Sequence, residues 1–255
     1  MQISGNTILI TGGGSGIGRA LAEAFHREGN QVIIAGRRKS VLDETTAANP
    51  GMASMVLDIE SKEAVKKFAA EIVQKFPKLN VVLNNAGIMQ VENFKEAADE
   101  ATAESIININ LLGTIRLTSA LLPHLLQQPK ATVLTVSSGL AFVPLAMTPA
   151  YCATKAAVHS WSQSLRYQLK NTSVGVIEII PPYVQTELMG AQQATDSRAM
   201  PLGEYLQETF HILKTQPDVE EVHVERVKFL TQAAERGEYG KVFETLNGMW
   251  AGEGH

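Results

Sequence analysis

The chain has 255 residues, 45% hydrophobic and 19% charged, which supplies a large core and excludes the composition of a disordered segment. A formal net charge of −4 argues against a nucleic-acid binder, and Arg37, Arg38 and Lys39 form the only tight basic cluster. A single cysteine, Cys152, excludes an internal disulfide.

The opening MQISGNTILITGGG lacks a basic stretch followed by a long apolar run, so it reads as a first strand rather than a secretory leader. Thr7–Thr11 (TILIT) is that strand, ended by glycines. Gly16–Glu28 carries Ile17, Leu21, Ala24 and Phe25 at helical spacing and closes on Gly29-Asn30. Val32–Ala35 is a second strand, 38–48 a helix, and Met52–Leu57 a third strand. Ser61 caps a helix that runs to Phe76, where Pro77 stops it. Val81–Leu83 is a fourth strand, Glu100–Leu126 a long helical region, and Val133–Val136 a fifth strand. A second long helix begins near Tyr151, and Val174–Ile180 is a sixth strand. Strands this apolar are buried on both faces, and helices between them imply parallel pairing with right-handed crossovers. The expected architecture is α/β: one domain over 1–255 with a doubly wound, Rossmann-type parallel sheet. Residues 185–215 break the rhythm and read as a substrate-lid insertion with short helices. No apolar stretch reads as long and charge-free enough to cross a bilayer, and the expected setting is cytoplasmic and reducing.

The first strand delivers 11-TGGGSGIG-18 into a helix. Glycines at the carboxyl end of a parallel strand let the backbone approach a pyrophosphate, and the helix N-terminus supplies free N–H groups. A plain tight turn is the simpler alternative. An NAD site places an acid about 20 residues beyond such glycines. Here the second strand ends Ala35-Gly36-Arg37-Arg38. A guanidinium attracts a 2′-phosphate, so NADP(H) is preferred over NAD(H), with Arg37 the main contact. A solvated pair of arginines opening a helix is the alternative. Further along, Tyr151 and Lys155 stand four residues apart and share one helix face. A phenol has an ordinary pKa of about 10, and lowering it to about 7 takes about 4 kcal/mol of differential stabilisation. An adjacent ammonium works in that direction, and the positive charge of an oxidised nicotinamide would add to it.

Taken in order, T-G-x-x-x-G-I-G from Thr11, 84-NNAG-87 and Tyr151-x-x-x-Lys155 resemble the short-chain dehydrogenase/reductase family, and the likeness covers Thr7 to about Thr186. The resemblance implies a nicotinamide cofactor and hydride exchange between an alcohol and a carbonyl. It implies Tyr151 as general acid/base, Lys155 as its tuning amine and ribose ligand, and Ser138 as hydrogen-bond donor to the substrate oxygen. Asn110 would hold a water linking Lys155 to solvent. It places the cofactor against Gly12, Gly14, Ser15, Gly16, Ile17 and Gly18, against Arg37 and Arg38, and against Asp58, Ile59, Asn85, Ala86 and Gly87. Pro181, Val184 and Thr186 fall on the nicotinamide side. Pro182 departs from the family's usual Pro-Gly and removes an N–H there. The stretches 181-PPYVQTELMG-190 and 242-VFETLNGM-249 resemble a subgroup, the D-alanine-esterification-type oxidoreductases.

Phe142, Val143, Leu145, Met147, Ile88, Met89, Leu188 and Met189 are expected around a partly apolar substrate pocket, with core packing the alternative. Cys152 reads as an inert small residue. The six histidines show no metal-ligand spacing, so no metal is expected. The family usually forms homodimers or homotetramers through helices like 100–126 and 150–170; Trp161, Leu165 and Leu169 belong to such an interface or to the core. The expected partner is a small alcohol or ketone, with neither nucleic acid nor membrane. Two rivals remain: a cofactor-sensing binding protein without catalysis, and an NAD-linked epimerase or dehydratase.

Overall fold

The computed structural model describes residues 1–95 and 100–251. In chain order they form β1 Thr7–Thr11, α1 Gly16–Arg27, β2 Gln31–Gly36, α2 Lys39–Ala48, β3 Ala53–Val56, α3 Lys62–Lys75 and β4 Leu79–Asn84. There follow α4 Glu100–Ile106, a π-helical segment Ile107–Gly113, α5 Thr114–Leu125, β5 Ala131–Val136, α6 Pro149–Leu169 and β6 Val174–Ile180. The last elements are α7 Leu202–Thr215, β7 Glu221–His223, α8 Lys228–Thr231 and α9 Tyr239–Gly248. The seven strands make one sheet in the order β3-β2-β1-β4-β5-β6-β7, and every pairing is parallel. The strand order reverses between β1 and β4, which opens a crevice at their carboxyl ends.

Side-chain alternation explains the two cores. Ile8 and Ile10 of β1 pack with Leu21 and Phe25 of α1, whereas Leu9 between them joins Phe68 and Ile72 of α3 on the other face. The sheet is therefore covered on both sides, as the apolar strands require. Caps set the helix limits: Ser61 Oγ accepts from Ala64 N at 3.2 Å at the start of α3. Gly29, with φ of 83°, and Asn30, whose Nδ2 donates to Phe25 O at 2.8 Å, close α1.

Several boundaries and elements differ from expectation. β7 and α9 had no sequence forecast. The long helix 100–126 contains a π-helical turn in its middle. Glu100–Leu125 is also, by length and composition, apolar enough to cross a bilayer, which corrects the expectation that no stretch would qualify. Its apolar residues have a use within the fold, since Leu117, Leu121 and Leu125 lie in the core beneath α3. Leu165 and Leu169 are likewise core, and Trp161 packs against the same cluster. Within 185–215, residues Leu202–Thr215 form a full helix whose Phe210 ring meets Phe25 of α1 at 4.8 Å.

Candidate active site

A cleft of about 670 Å³ lies at the carboxyl ends of the central strands. Its floor is fixed by polar contacts between strand ends. Thr11 Oγ1 accepts from the N–H groups of Asn85 and Ala86, both at 3.1 Å. Asn85 Nδ2 donates to Thr11 O at 3.0 Å, and Gly12 N donates to Ala35 O at 2.8 Å. Gly12 and Gly16 have φ of 65° and 53°, which favours glycine. Gly18 is required by space: a Cβ there would lie 2.3 Å from Gly12 O. At the start of α1, Ser15 makes no side-chain cap, so the first N–H groups face the cleft without one.

Of the residues expected to hold a cofactor, Gly12, Gly14, Ser15, Gly16, Ile17, Arg37, Arg38, Ile59, Asn85, Ala86, Gly87, Tyr151, Lys155, Pro181 and Thr186 line this cleft. Three do not. Gly18 packs behind the glycine turn. Asp58 is exposed, and its Oδ1 accepts from Glu60 N at 3.2 Å instead of facing the cleft. Val184 bridges to Met200 and lines a neighbouring pocket. Arg38 Nη2 lies 3.4 Å from Ser15 Oγ. Among the lining residues without an expected role, Ser137 is 1% exposed, and its Oγ has no hydrogen-bond partner among the described residues. A buried hydroxyl without a partner, a glycine-lined floor and uncapped helix N–H groups suit a dinucleotide with its phosphates at α1.

At the inner end of the cleft, α6 presents Tyr151 and Lys155 on consecutive turns. Both are buried, and Nζ lies 5.5 Å from the ring centroid. Lys155 Nζ donates to Val136 O at 2.8 Å. Ser138 neighbours the Tyr151 hydroxyl at the polar end of an adjoining pocket, and its Oγ accepts from Leu140 N at 3.1 Å. Burial pushes the Tyr151 phenol above its ordinary value, and the neighbouring Ser138 hydroxyl opposes that rise. The expectation joins Lys155 to the positive charge of an oxidised nicotinamide; within the chain alone, burial is the largest influence on the phenol. Burial also lowers Lys155, to about 8, with Glu178 pulling the other way. Tyr151 does lie in the first turn of a 21-residue helix, where the helix dipole favours an anion. The Glu92 carboxylate at the same helix end, accepting from Ala150 N at 2.8 Å, counters part of that field.

Asn110 lies in the π-helical segment and is 2% exposed. Its Oδ1 accepts from Ile88 N at 2.9 Å, and its Nδ2 donates to Ile88 O at 2.9 Å and Thr154 Oγ1 at 3.2 Å. The side chain thus clamps the loop after β4 to α6.

A second, apolar pocket of about 100 Å³ adjoins the cleft. Ser138 and Tyr151 form its polar end, and Leu145, Leu188, Met89 and Met189 line it as expected. Phe142 packs at a tilt against His159 instead, and Val143 and Met147 pack in the core around Tyr151. Ile88 lines the cleft. Leu140, Leu230, Leu246 and Trp250, not forecast, complete the wall. Trp250 is held edge-on to Tyr183 at 5.2 Å and under the Arg198 guanidinium at 4.3 Å. Pro181 O accepts from Gly139 N at 2.9 Å, which ties the Pro181-Pro182 loop to the Ser138 turn. Cys152 is buried, its Sγ near Leu145 and Thr148, and burial pushes its thiol up. Among the described residues, His159, Glu178 and Glu221 form one group with metal-ligand chemistry, their ligand atoms within 4.8 Å of one another; these atoms pair with each other and with Gln163 and His223.

A family model described as short chain dehydrogenase matches residues 6–197. An uncharacterized oxidoreductase, DltE of Bacillus subtilis (strain 168), is 39% identical over 251 residues, covering 97% of this chain and 98% of that protein. An uncharacterized oxidoreductase of Staphylococcus aureus (strain USA300) is 33% identical over 195 residues, covering 75% of this chain and 84% of the relative. In fold, a short chain dehydrogenase from Burkholderia cenocepacia J2315 in complex with NADP superposes with a TM-score of 0.80 at 24% identity, covering 95% of this chain and 99% of its own. One from Burkholderia phymatum in complex with NAD gives 0.79 at 21%, covering 93% and 96%.

Proposed function

The chain belongs to the short-chain dehydrogenase family, and from that premise we propose that it transfers a hydride between NADP(H) and a partly apolar alcohol or ketone, with Tyr151 as general acid/base. One observation carries this reading: Tyr151 lines both the long polar cleft and the apolar pocket, so its phenol stands where the two cavities meet. When bound, the nicotinamide accepts or donates the hydride. The chain does the rest. Ser138 orients the substrate oxygen, and Tyr151 gives that oxygen a proton in reduction or takes one in oxidation. Lys155 supplies positive charge one helical turn away and holds the ribose. Among the described residues, none that line the apolar pocket is charged. That favours a substrate whose body is apolar and whose reacting oxygen meets Ser138 and Tyr151.

The NADP(H) preference rests on Arg37, which lines the cleft at the end of β2 and has no hydrogen bond or ion pair among the described residues. A charge-assisted contact to a phosphate is worth about 1.5–3 kcal/mol. Arg37→Ala is therefore expected to lower kcat/KM for NADPH by about 10- to 100-fold while leaving that for NADH nearly unchanged. Equal values for the two coenzymes in the unaltered protein would remove the preference. Screening NADPH oxidation against ketones, aldehydes and keto esters tests the reaction itself. A protein that binds NADPH tightly and reduces none of them would be the cofactor-sensing rival.

The same reading includes a cytoplasmic setting, supported by the lone cysteine, and a homodimer or homotetramer. The exposed Ile107 and Tyr167 on the two long helical runs support the latter.

A further inference from the structure

One turn of α6 beyond Lys155, His159 meets Glu178 of β6, with Nδ1 2.9 Å from Oε2 and 3.1 Å from Oε1. Glu178 has no exposed surface and sits between Ile177 and Ile179. Taking a carboxylate fully out of water is strongly unfavourable unless opposite charge is close. The strand register places Glu178 beside Thr135 and Ile179 beside Val136, and Val136 O is the acceptor of the Lys155 Nζ bond. Contact with His159 shows that the Glu178 side chain lies on the α6 face of the sheet, the face that Lys155 also meets.

We propose that Glu178, held by His159, is the fixed counter-ion of Lys155 and keeps that amine protonated while it works beside Tyr151. Glu178 lines neither cavity, so it is a positioning residue. Its part in catalysis rests on reading Tyr151 and Lys155 as the acid–base couple.

The surrounding charges leave Glu178 free for this role. On α6 they are Lys155, His159 and Arg166; on β7 and its approach they are Glu220, Glu221 and His223. Glu221, the register partner of Glu178, takes His223 Nε2 at 3.1 Å and lies 3.8 Å from Arg166 Nη1. The His223 hydrogen bond, chiefly, pulls Glu221 down to about 2. Glu220 lies 3.7 Å from Arg166. The cation in contact with Glu178 is thus His159, at 2.9 Å, and Lys155 is the next one back along the same face of α6, its Nζ on Val136 O. The Glu178 hydrogen bond raises His159, and Glu178 is the charge that opposes the fall of Lys155 on burial. While His159 is protonated, its charge cancels part of the carboxylate's pull on Lys155. Once it loses that proton, the carboxylate acts on Lys155 in full. Support for the amine is therefore greatest in the alkaline range, where it would otherwise be lost.

The test is the titration of Lys155, followed by NMR in protein labelled at the lysine Cε carbons. Loss of one resonance in Lys155→Arg assigns it. Glu178→Gln keeps the shape and an acceptor for His159 but removes the charge, and the Lys155 midpoint is expected to fall by roughly one unit. Glu178→Asp, which keeps the charge, should restore most of it. If Glu178→Gln does not fold, the double variant Glu178→Gln/His159→Gln removes the pair as a unit and carries the same expectation. In turnover, the alkaline limb of NADPH-dependent carbonyl reduction should move to lower pH; a merely structural residue would lower the profile without moving it. An unchanged Lys155 midpoint in folded Glu178→Gln overturns the proposal. A wild-type protein that reduces no carbonyl would defeat the proposed reaction instead, and the NMR comparison would still decide the counter-ion.

Discussion

Tyr151→Phe is expected to bind NADPH about as tightly as the unaltered protein and to lose turnover by about 10²- to 10⁴-fold, the range for a positioned general acid–base group. The substitution removes one oxygen from a ring that is 6% exposed and packed among Val143, Leu145 and Leu246. The ring keeps its packing, so the fold and the cleft should persist. What disappears is the hydroxyl that stands beside Ser138. Fluorescence titration of NADPH alongside steady-state kcat separates the two effects. A variant with near-normal kcat would assign the proton to another group and remove the basis of the proposed reaction.

Gly18→Ala should damage the cofactor site and the fold together. The added Cβ would lie 2.3 Å from both Gly12 O and Asn85 Nδ2. Gly12 O is backbone, so the glycine turn itself must shift. Overpacking of this kind costs about 1–3 kcal/mol, and a backbone clash belongs at the upper end. For a chain of this size, about 3 kcal/mol lowers Tm by about 6–12 °C. NADPH affinity should fall by more than tenfold, about 1.4 kcal/mol, because the displaced turn leads into the helix N-terminus proposed to hold the phosphates. Gly203→Ala is the control. It lies in α7 with nothing within 4 Å of the added Cβ, so its Tm should stay level or rise slightly. Similar losses in both variants would mean that the close approach at Gly18 has no special weight.

The first six strands were legible because each is a short apolar run bounded by turn residues, and the helices between them carry a clear spacing. Glu221–His223 was not: it is three residues long, and Glu and His flank a lone valine. Its place is set by pairing with β6, a tertiary effect without a local signal. The tyrosine, lysine and glycine turn were legible because their chemistry depends on fixed local spacing. Ser137 was overlooked beside Ser138, although the two line different cavities. Trp250 and Leu246 reach the pocket from the far end of the chain, which no local pattern records. Glu178 carried a signal that went unused: a carboxylate in VGVIEII, inside an otherwise apolar central strand, needs a partner or a task.

Tyr151, Lys155, His159 and Gln163 recur at four-residue intervals along α6. The helix therefore serves as a ruler, with each mark one turn from the next. Deleting or inserting a single residue between Tyr151 and Lys155 would rotate everything beyond it by about 100°. The amine would swing away from the phenol, and the imidazole from its carboxylate, in one stroke. Length changes across this stretch should consequently be far more damaging than changes of side chain, whereas the loops at either end of the helix face no such constraint.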